Sequence, residues 1–215
     1  MKVGILWDLD GTLLDTLQDL ADSVNYALEQ FGYPRRSLEE IRRFVGGGAK
    51  HLLAQAVPEG ADAEPVGNCF WYHYEAHCQD KTCPYEGVVQ VLDQLKDRYP
   101  MAVVSNKPDD AVKPLCAKHF PGIYARGERP DWPRKPAPDM VRQTMDVLGI
   151  DTCVYVGDSE VDVQTARNAG VPCLSVLWGF RDREEIEAAG GNRFCTDPAA
   201  LPEMLEEMIR DLTVG

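Results

Sequence analysis

Val3-Gly4-Ile5-Leu6-Trp7 is a short apolar run that stops abruptly at Asp8-Leu9-Asp10-Gly11-Thr12. A run this brief, apolar throughout and closed by a polar turn, reads as a strand buried on both faces of a parallel sheet. Two carboxylates one residue apart then leave the carboxyl end of that strand, where open α/β sheets keep their ligand crevices. Such carboxylates repel each other and resist ionising together unless a cation lies between them. The alternative is a plain strand-ending Asp turn with Gly11 supplying the bend. Like charges crowded at a sheet edge favour chemistry over that reading.

The rest of the chain repeats the strand-then-helix rhythm. Leu17, Leu20, Ala21, Val24, Leu28 and Phe31 recur at helical spacing, and Gly32 is placed to stop that helix. Helical pattern continues to about residue 80, interrupted by Gly46-Gly47-Gly48 and Pro58-Glu59-Gly60. Further strands are predicted at Met101–Ser105, weakly around Ile123, at Cys153–Val156, Cys173–Leu177 and near Arg193–Cys195. Helices are predicted between them, around Val88–Leu95, 109–119, 138–148 and 160–169, with a last one opening at Asp197-Pro198. Alternation of this kind implies an α/β fold, a doubly wound parallel sheet with a Rossmann-like core. The helical piece after the first strand reads as an inserted small cap, giving a core of residues 1–14 and 84–215 and a cap of 15–83.

With 22 Lys+Arg against 35 Asp+Glu, the net charge of −13 disfavours nucleic acid and anionic membranes as partners. An anionic substrate must therefore be drawn by local positive charge and a metal rather than by the whole-protein field. The seven cysteines are odd in number and form no Cys-x-x-Cys pair, as expected of reduced packing residues in a cytoplasmic protein. No run reaches membrane-span length, and no signal peptide is read at the start.

Three further strand ends carry polar residues. Ser105-Asn106-Lys107 ends the second long strand, Lys135 lies in Arg134-Lys135-Pro136-Ala137-Pro138, and Asp158 follows Val154-Tyr155-Val156-Gly157 with Asp162 one helical turn on. Each has a bland reading: a polar turn, a solvated loop lysine, an acid-rich first helical turn. Four such signatures in this order are not explained that way. The set Asp8-x-Asp10-Gly-Thr12, Ser105-Asn106, Lys135 and Gly157-Asp158-Ser159-x-x-Asp162 resembles the haloacid dehalogenase-like phosphohydrolase superfamily. The early cap marks the helical-cap subfamily. Asp15-Thr16, Phe44-Val45-Gly46-x-Gly48 and Lys135-Pro-x-Pro138 are most similar to phosphoglycolate phosphatases. The Arg-, Pro- and Trp-rich stretch from Ala125 to Pro133 departs from the family pattern.

The resemblance implies a phosphomonoester hydrolase working through an aspartyl phosphate. Asp8 would be the nucleophile, and Asp10 the general acid toward the leaving alcohol and then the base toward water. Mg²⁺ is the implied metal, with Asp8, Asp10 (through its backbone carbonyl), Asp158 and Asp162 as ligands, Asp162 in or just behind the coordination shell. Thr12, Ser105, Asn106 and Lys135 are expected around the phosphoryl oxygens, Lys135 also offsetting the charge of Asp8. In the cap, Arg43 and Lys50 beside the glycine run are the expected substrate-carboxylate partners. Cys69, His73 and His77 recur at helical turns, but with Trp71, Tyr72 and Tyr74 interleaved they read as a packed helix rather than a zinc site. The implied partner is a small phosphorylated metabolite, best matched by 2-phosphoglycolate, and the protein is expected to be a monomer or homodimer. Three other readings remain open: a sugar phosphomutase of the β-phosphoglucomutase type, a nucleotide 5′-phosphatase or pyrophosphatase, and a non-catalytic scaffold. Thr12, where mutases commonly carry an apolar residue, leans toward hydrolysis.

Overall fold

A computed structural model describes residues 1–214. In chain order the elements are β1 (Val3–Trp7), β2 (Leu14–Asp15), α1 (Leu17–Gln30), α2 (Leu38–Phe44), α3 (Ala49–Ala56), α4 (Ala63–His77) and β3 (Cys83–Pro84). Then follow α5 (Val88–Leu95), β4 (Met101–Pro108), α6 (Asp109–His119), β5 (Tyr124–Glu128), α7 (Asp139–Leu148), β6 (Thr152–Gly157) and α8 (Glu160–Ala169). The chain closes with β7 (Cys173–Val176), α9 (Arg183–Ala188), β8 (Phe194–Cys195), a short 3-10 turn at Pro198–Ala200 and α10 (Leu201–Val214).

Six strands form one parallel sheet in the order β5-β4-β1-β6-β7-β8. β1 is central, with Ile5 opposite Met101 of β4 and Val154 of β6. Alternate side chains of one strand feed opposite faces. Ile5 and Trp7 enter a cluster with Leu95, Leu115 and Leu205 from α5, α6 and α10, while Leu6 packs with Met140, Val141 and Ala166 from α7 and α8. All three strand residues are essentially inaccessible to solvent. At about 1.5–3 kcal/mol for each large apolar side chain buried, that requirement explains why the run has no polar position. Strand order reverses around β1, so β1 and its neighbours open a crevice at their carboxyl ends.

The helices α1–α4 form a separate cluster above that crevice. Leu20, Val24, Leu28, Ile41, Leu53, Val66 and Phe70 pack together there, and Phe180 joins them from the loop after β7. Ser37 and Glu40 close a reciprocal capping box on α2, and Asp62 caps α4. The antiparallel ribbon β2–β3 pairs Leu14 with Pro84 and Asp15 with Cys83, fastening the insert's two ends side by side.

Four details differ from the sequence expectation. The ribbon is too short to show a strand pattern. The weak strand near Ile123 is displaced to Tyr124–Glu128, α9 is an additional helix too short to show a periodicity, and β4 continues past Ser105 to Pro108. That last extension pairs Pro108 with Glu128 across an irregular register and carries Lys107 inward. No helix among the described residues is long and apolar enough to cross a membrane.

Candidate active site

Four loops converge at the carboxyl edge of the sheet, and the first is shaped by glycine. Gly11 has φ +88, and a Cβ there would lie 2.3 Å from Asp158 Oδ2. Only glycine lets the turn after β1 close against the loop after β6. Gly157 plays the matching part, since a Cβ there would come within 2.3 Å of the Asp162 side chain.

Asp8, Asp158 and Asp162 are buried and each presents a carboxylate oxygen within 4.8 Å of the others. Lys135 is placed among them: its ammonium donates to Asp8 Oδ1 at 2.8 Å, Asp162 Oδ1 at 2.8 Å and the Tyr155 hydroxyl at 3.1 Å. Burial opposes the charge of Lys135, but Asp162 and Asp8 outweigh it and hold the ammonium well above its usual range. Burial, then the charge of Asp162, push the Asp8 carboxyl well above its ordinary value against the pull of Lys135. Burial and Asp162 likewise raise Asp158, to about 7, although it accepts from the Phe180 N–H at 2.7 Å and the Thr12 hydroxyl at 3.1 Å. One lysine does not neutralise three crowded carboxylates. The surplus negative charge and the all-oxygen donor set fit a hard divalent cation.

Asp162 has a double duty. Its Oδ2 accepts from the Ser159 N–H and hydroxyl, at 3.1 and 2.6 Å, closing a capping box on α8, while Oδ1 faces Lys135. The helix-terminus reading of this acid is therefore realised by one oxygen, while the other is free to face the lysine. Asp10 sits on the other side of the crevice, its Oδ1 accepting from Lys107 at 2.9 Å. Burial works against the Lys107 charge, but Asp10 and then Tyr74 keep it raised. The Lys107 ammonium also stands 5.0 Å from the centre of the Tyr74 ring, which descends from α4.

Asp8, Asp10, Ser105, Asn106, Lys107 and Lys135 line one cavity of about 60 Å³, roofed by side chains of α1, α3 and α4. Ser105 lines it too, its hydroxyl accepting from the Lys107 N–H at 3.1 Å and keeping its own proton to donate. Other expected site residues are placed differently. The Thr12 hydroxyl donates to Asp158 rather than facing the cavity, so it orients an acid. The Asn106 amide is spent on backbone: it accepts from Lys135 N at 2.8 Å and donates to the carbonyls of Lys135 at 3.0 Å and Gly46 at 3.2 Å. It fixes the lysine loop and touches the cap, leaving no side-chain donor for a phosphate. Arg43 is mostly exposed and pairs with Glu39 one turn back on its own helix, and exposed Lys50 lies outside this cavity. Neither reaches the acids, because α2 and the start of α3 turn these side chains outward. His73 stacks between Tyr26 and His77 at 4.2 and 4.3 Å and bonds Ser23, as a packed helix requires.

Sequence reading misses three contributors: Lys107, Tyr74 and Arg181. The signal for Lys107 is its place right after Ser105-Asn106. Nothing local marks Arg181. Its guanidinium donates to the backbone carbonyls of Arg42 at 3.0 Å, Arg43 at 3.2 Å and Val45 at 2.6 Å, and to Glu160 at 2.9 Å. It thereby satisfies the orphan carbonyls at the end of α2. Arg134 adds a bond to the Gly47 carbonyl at 3.0 Å.

Fold and site together define a capped α/β enzyme whose acids and lysine gather at the carboxyl edge of a parallel sheet. The chain belongs to the haloacid dehalogenase-like hydrolase family, whose model matches residues 5–176. It is 34% identical over 221 residues to a phosphoglycolate phosphatase of Rhodobacter capsulatus, covering 96% of this chain and 98% of that protein. It is 34% identical over 211 residues to a phosphoglycolate phosphatase of Pseudomonas putida, covering 92% of this chain and 77% of that one. A solved structure from Lactobacillus delbrueckii subsp. bulgaricus superimposes with a TM-score of 0.88 at 35% identity, over 94% of this chain and 97% of the other.

Proposed function

We propose that this chain is a magnesium-dependent phosphomonoesterase whose substrate is 2-phosphoglycolate. The observation that carries the reading is the Lys135 ammonium fixed at 2.8 Å from both Asp8 and Asp162 at the floor of the cavity. A phosphoryl group needs charge neutralisation and alignment more than elaborate covalent machinery, and this floor supplies both. The relatives named as phosphoglycolate phosphatases, matched over nearly the whole chain, support the substrate.

In this reading residues 1–14 and 84–215 are the core and residues 15–83 the cap that selects substrate, in a cytoplasmic enzyme. Asp8 attacks phosphorus, the ester P–O bond breaks, and Asp10 gives its proton to the departing alkoxide oxygen. Asp10, now a carboxylate, takes a proton from water as that water attacks the aspartyl phosphate, releasing inorganic phosphate and restoring Asp8. The Ser105 hydroxyl holds a phosphoryl oxygen, the Lys135 charge beside Asp8 offsets the negative charge there, and the Thr12 hydroxyl orients Asp158. Asp8, the Asp10 carbonyl and Asp158 would hold Mg²⁺, with Asp162 behind them steadying Lys135. When bound, the ion neutralises charge on the acids and the phosphoryl group. The roof of α1, α3 and α4 excludes water during the first transfer.

The test compares kcat/KM for 2-phosphoglycolate, β-glucose 1-phosphate, a nucleoside 5′-monophosphate and pyrophosphate. We expect 2-phosphoglycolate to lead. An advantage beyond tenfold for any other ester, about 1.4 kcal/mol of transition-state preference, overturns the substrate. Asp8→Asn should abolish turnover, and hydrolysis of a phosphate monoester made chiral at phosphorus with oxygen isotopes should proceed with net retention, the mark of two successive in-line displacements. Net inversion, the mark of direct attack by water, overturns the covalent route.

A further inference from the structure

Two lysines line the cavity, and their hydrogen-bonding is unequal. An ammonium has three N–H donors. Lys135 uses all three, on Asp8, Tyr155 and Asp162. Lys107, 7% exposed, makes a single side-chain hydrogen bond among the described residues, to Asp10. The Tyr74 side chain lies beside its remaining donors, the ring centre 5.0 Å away. The Tyr74 side chain is itself 1% exposed, and its hydroxyl is a buried polar atom with no hydrogen-bond partner. Burial pushes that hydroxyl up to about 12 against the pull of the Lys107 charge, so it stays protonated and able to donate. Buried donors left unpaired are costly, and native sites keep them where a ligand or water completes them. Tyr74 and Lys107 face the same cavity as Asp8 and Asp10, one from the roof and one from the floor.

We propose that Lys107 and Tyr74 form the subsite for the leaving-group end of the substrate, and that this subsite takes a carboxylate. It rests on the phosphomonoesterase reading above and replaces Arg43 and Lys50 as the specificity-determining residues. Lys135 is saturated by Asp8, Asp162 and the Tyr155 hydroxyl, so the carboxylate arm must find its partners elsewhere. Spare N–H donors on a buried cation and a buried phenol suit one carboxylate with two oxygens. Lys107 is bonded to Asp10, so a carboxylate held there sets the ester oxygen beside the acid that protonates it. A phosphate ester lacking the anionic arm would leave the same donors unpaired, and the site would discriminate against it.

The experiment compares 2-phosphoglycolate with ethyl phosphate, which has a methyl where the first has a carboxylate. The readout is the ratio of their kcat/KM values in wild type, Tyr74→Phe and Lys107→Met, so that losses common to both esters cancel. Hydrogen bonds to charged groups predict a ratio of at least about tenfold in wild type, falling about tenfold or more in Lys107→Met and about fivefold in Tyr74→Phe. A wild-type ratio near one, or a ratio moving less than about threefold in both variants, overturns the subsite and leaves the phosphatase reading standing. Calorimetric binding of the non-hydrolysable 3-phosphonopropionate against propylphosphonate to wild type, with Mg²⁺ present, needs no variant to fold and no turnover. Preference for the carboxylate-bearing phosphonate supports the subsite even if neither ester is hydrolysed, an outcome that would instead remove the phosphatase reading. Equal affinities overturn it.

Discussion

Lys135→Met tests how the buried charges depend on one another. The methionine keeps the length and apolar stem of lysine but removes the ammonium that lies 2.8 Å from Asp8 and 2.8 Å from Asp162, with its side chain only 3% exposed. Removing one partner of a buried ion pair typically costs about 3–5 kcal/mol, because the other charge is left uncompensated. In a chain of this size that is a fall in Tm of roughly 6–20 °C. The loss must also depend on pH. Asp8 and Asp158 have folded-state values raised above those of an unfolded chain. A raised acid contributes stability that is full below the unfolded carboxylate range and is lost as pH rises through the folded value, about 7 for Asp158. Without Lys135, the pull that opposes the Asp8 shift disappears, and that loss with rising pH deepens. Metal-free urea unfolding at pH 5 and pH 8 is the assay. The variant should lose about 3–5 kcal/mol relative to wild type at pH 8 and less than half of that at pH 5. Equal losses at the two pH values, or a loss under about 1 kcal/mol at pH 8, would refute the picture of a lysine partly offsetting the charge of crowded acids.

The metal centre and the roof give four further outcomes. Mg²⁺ at 100 times its dissociation constant should stabilise the wild type by about 2.7 kcal/mol, a Tm rise of roughly 5–10 °C, and Asp158→Asn should lose that rise. A chelator should abolish turnover, and a wild-type Tm indifferent to Mg²⁺ would remove the metal centre. Arg181→Met should raise KM and lower kcat together, with kcat/KM for 2-phosphoglycolate down about 10–100-fold, because the roof would no longer be held over the substrate. Arg43→Ala should stay within about twofold, and a larger drop would return Arg43 to the site.

Residues whose role is set by their own strand are legible in the sequence. The apolar run of β1 needs both faces buried, and Asp8 follows it; Asp158 follows β6 for the same reason. Lys135 and Asp162 come with the family resemblance, and they meet Asp8 and each other at the floor of the crevice. What stays hidden depends on partners distant in the chain. Lys107 meets Asp10 across 97 positions, and no local pattern encodes that encounter. Thr12 and Asn106 carry groups equally suited to a phosphate or to the protein's own polar atoms, and tertiary neighbours choose the latter. Arg43 is the opposite case: Glu39 four positions earlier on one helix already offers it a surface partner.

Arg181 grips the insert through main-chain oxygens of Arg42, Arg43 and Val45. Every amino acid supplies that oxygen. The clasp is therefore blind to which side chains the insert carries, provided α2 ends where it does. Mutations that reshape the roof over the cavity can accumulate without loosening its attachment. A lineage built this way can drift from one phosphate ester to another while the anchorage of its roof is inherited unchanged.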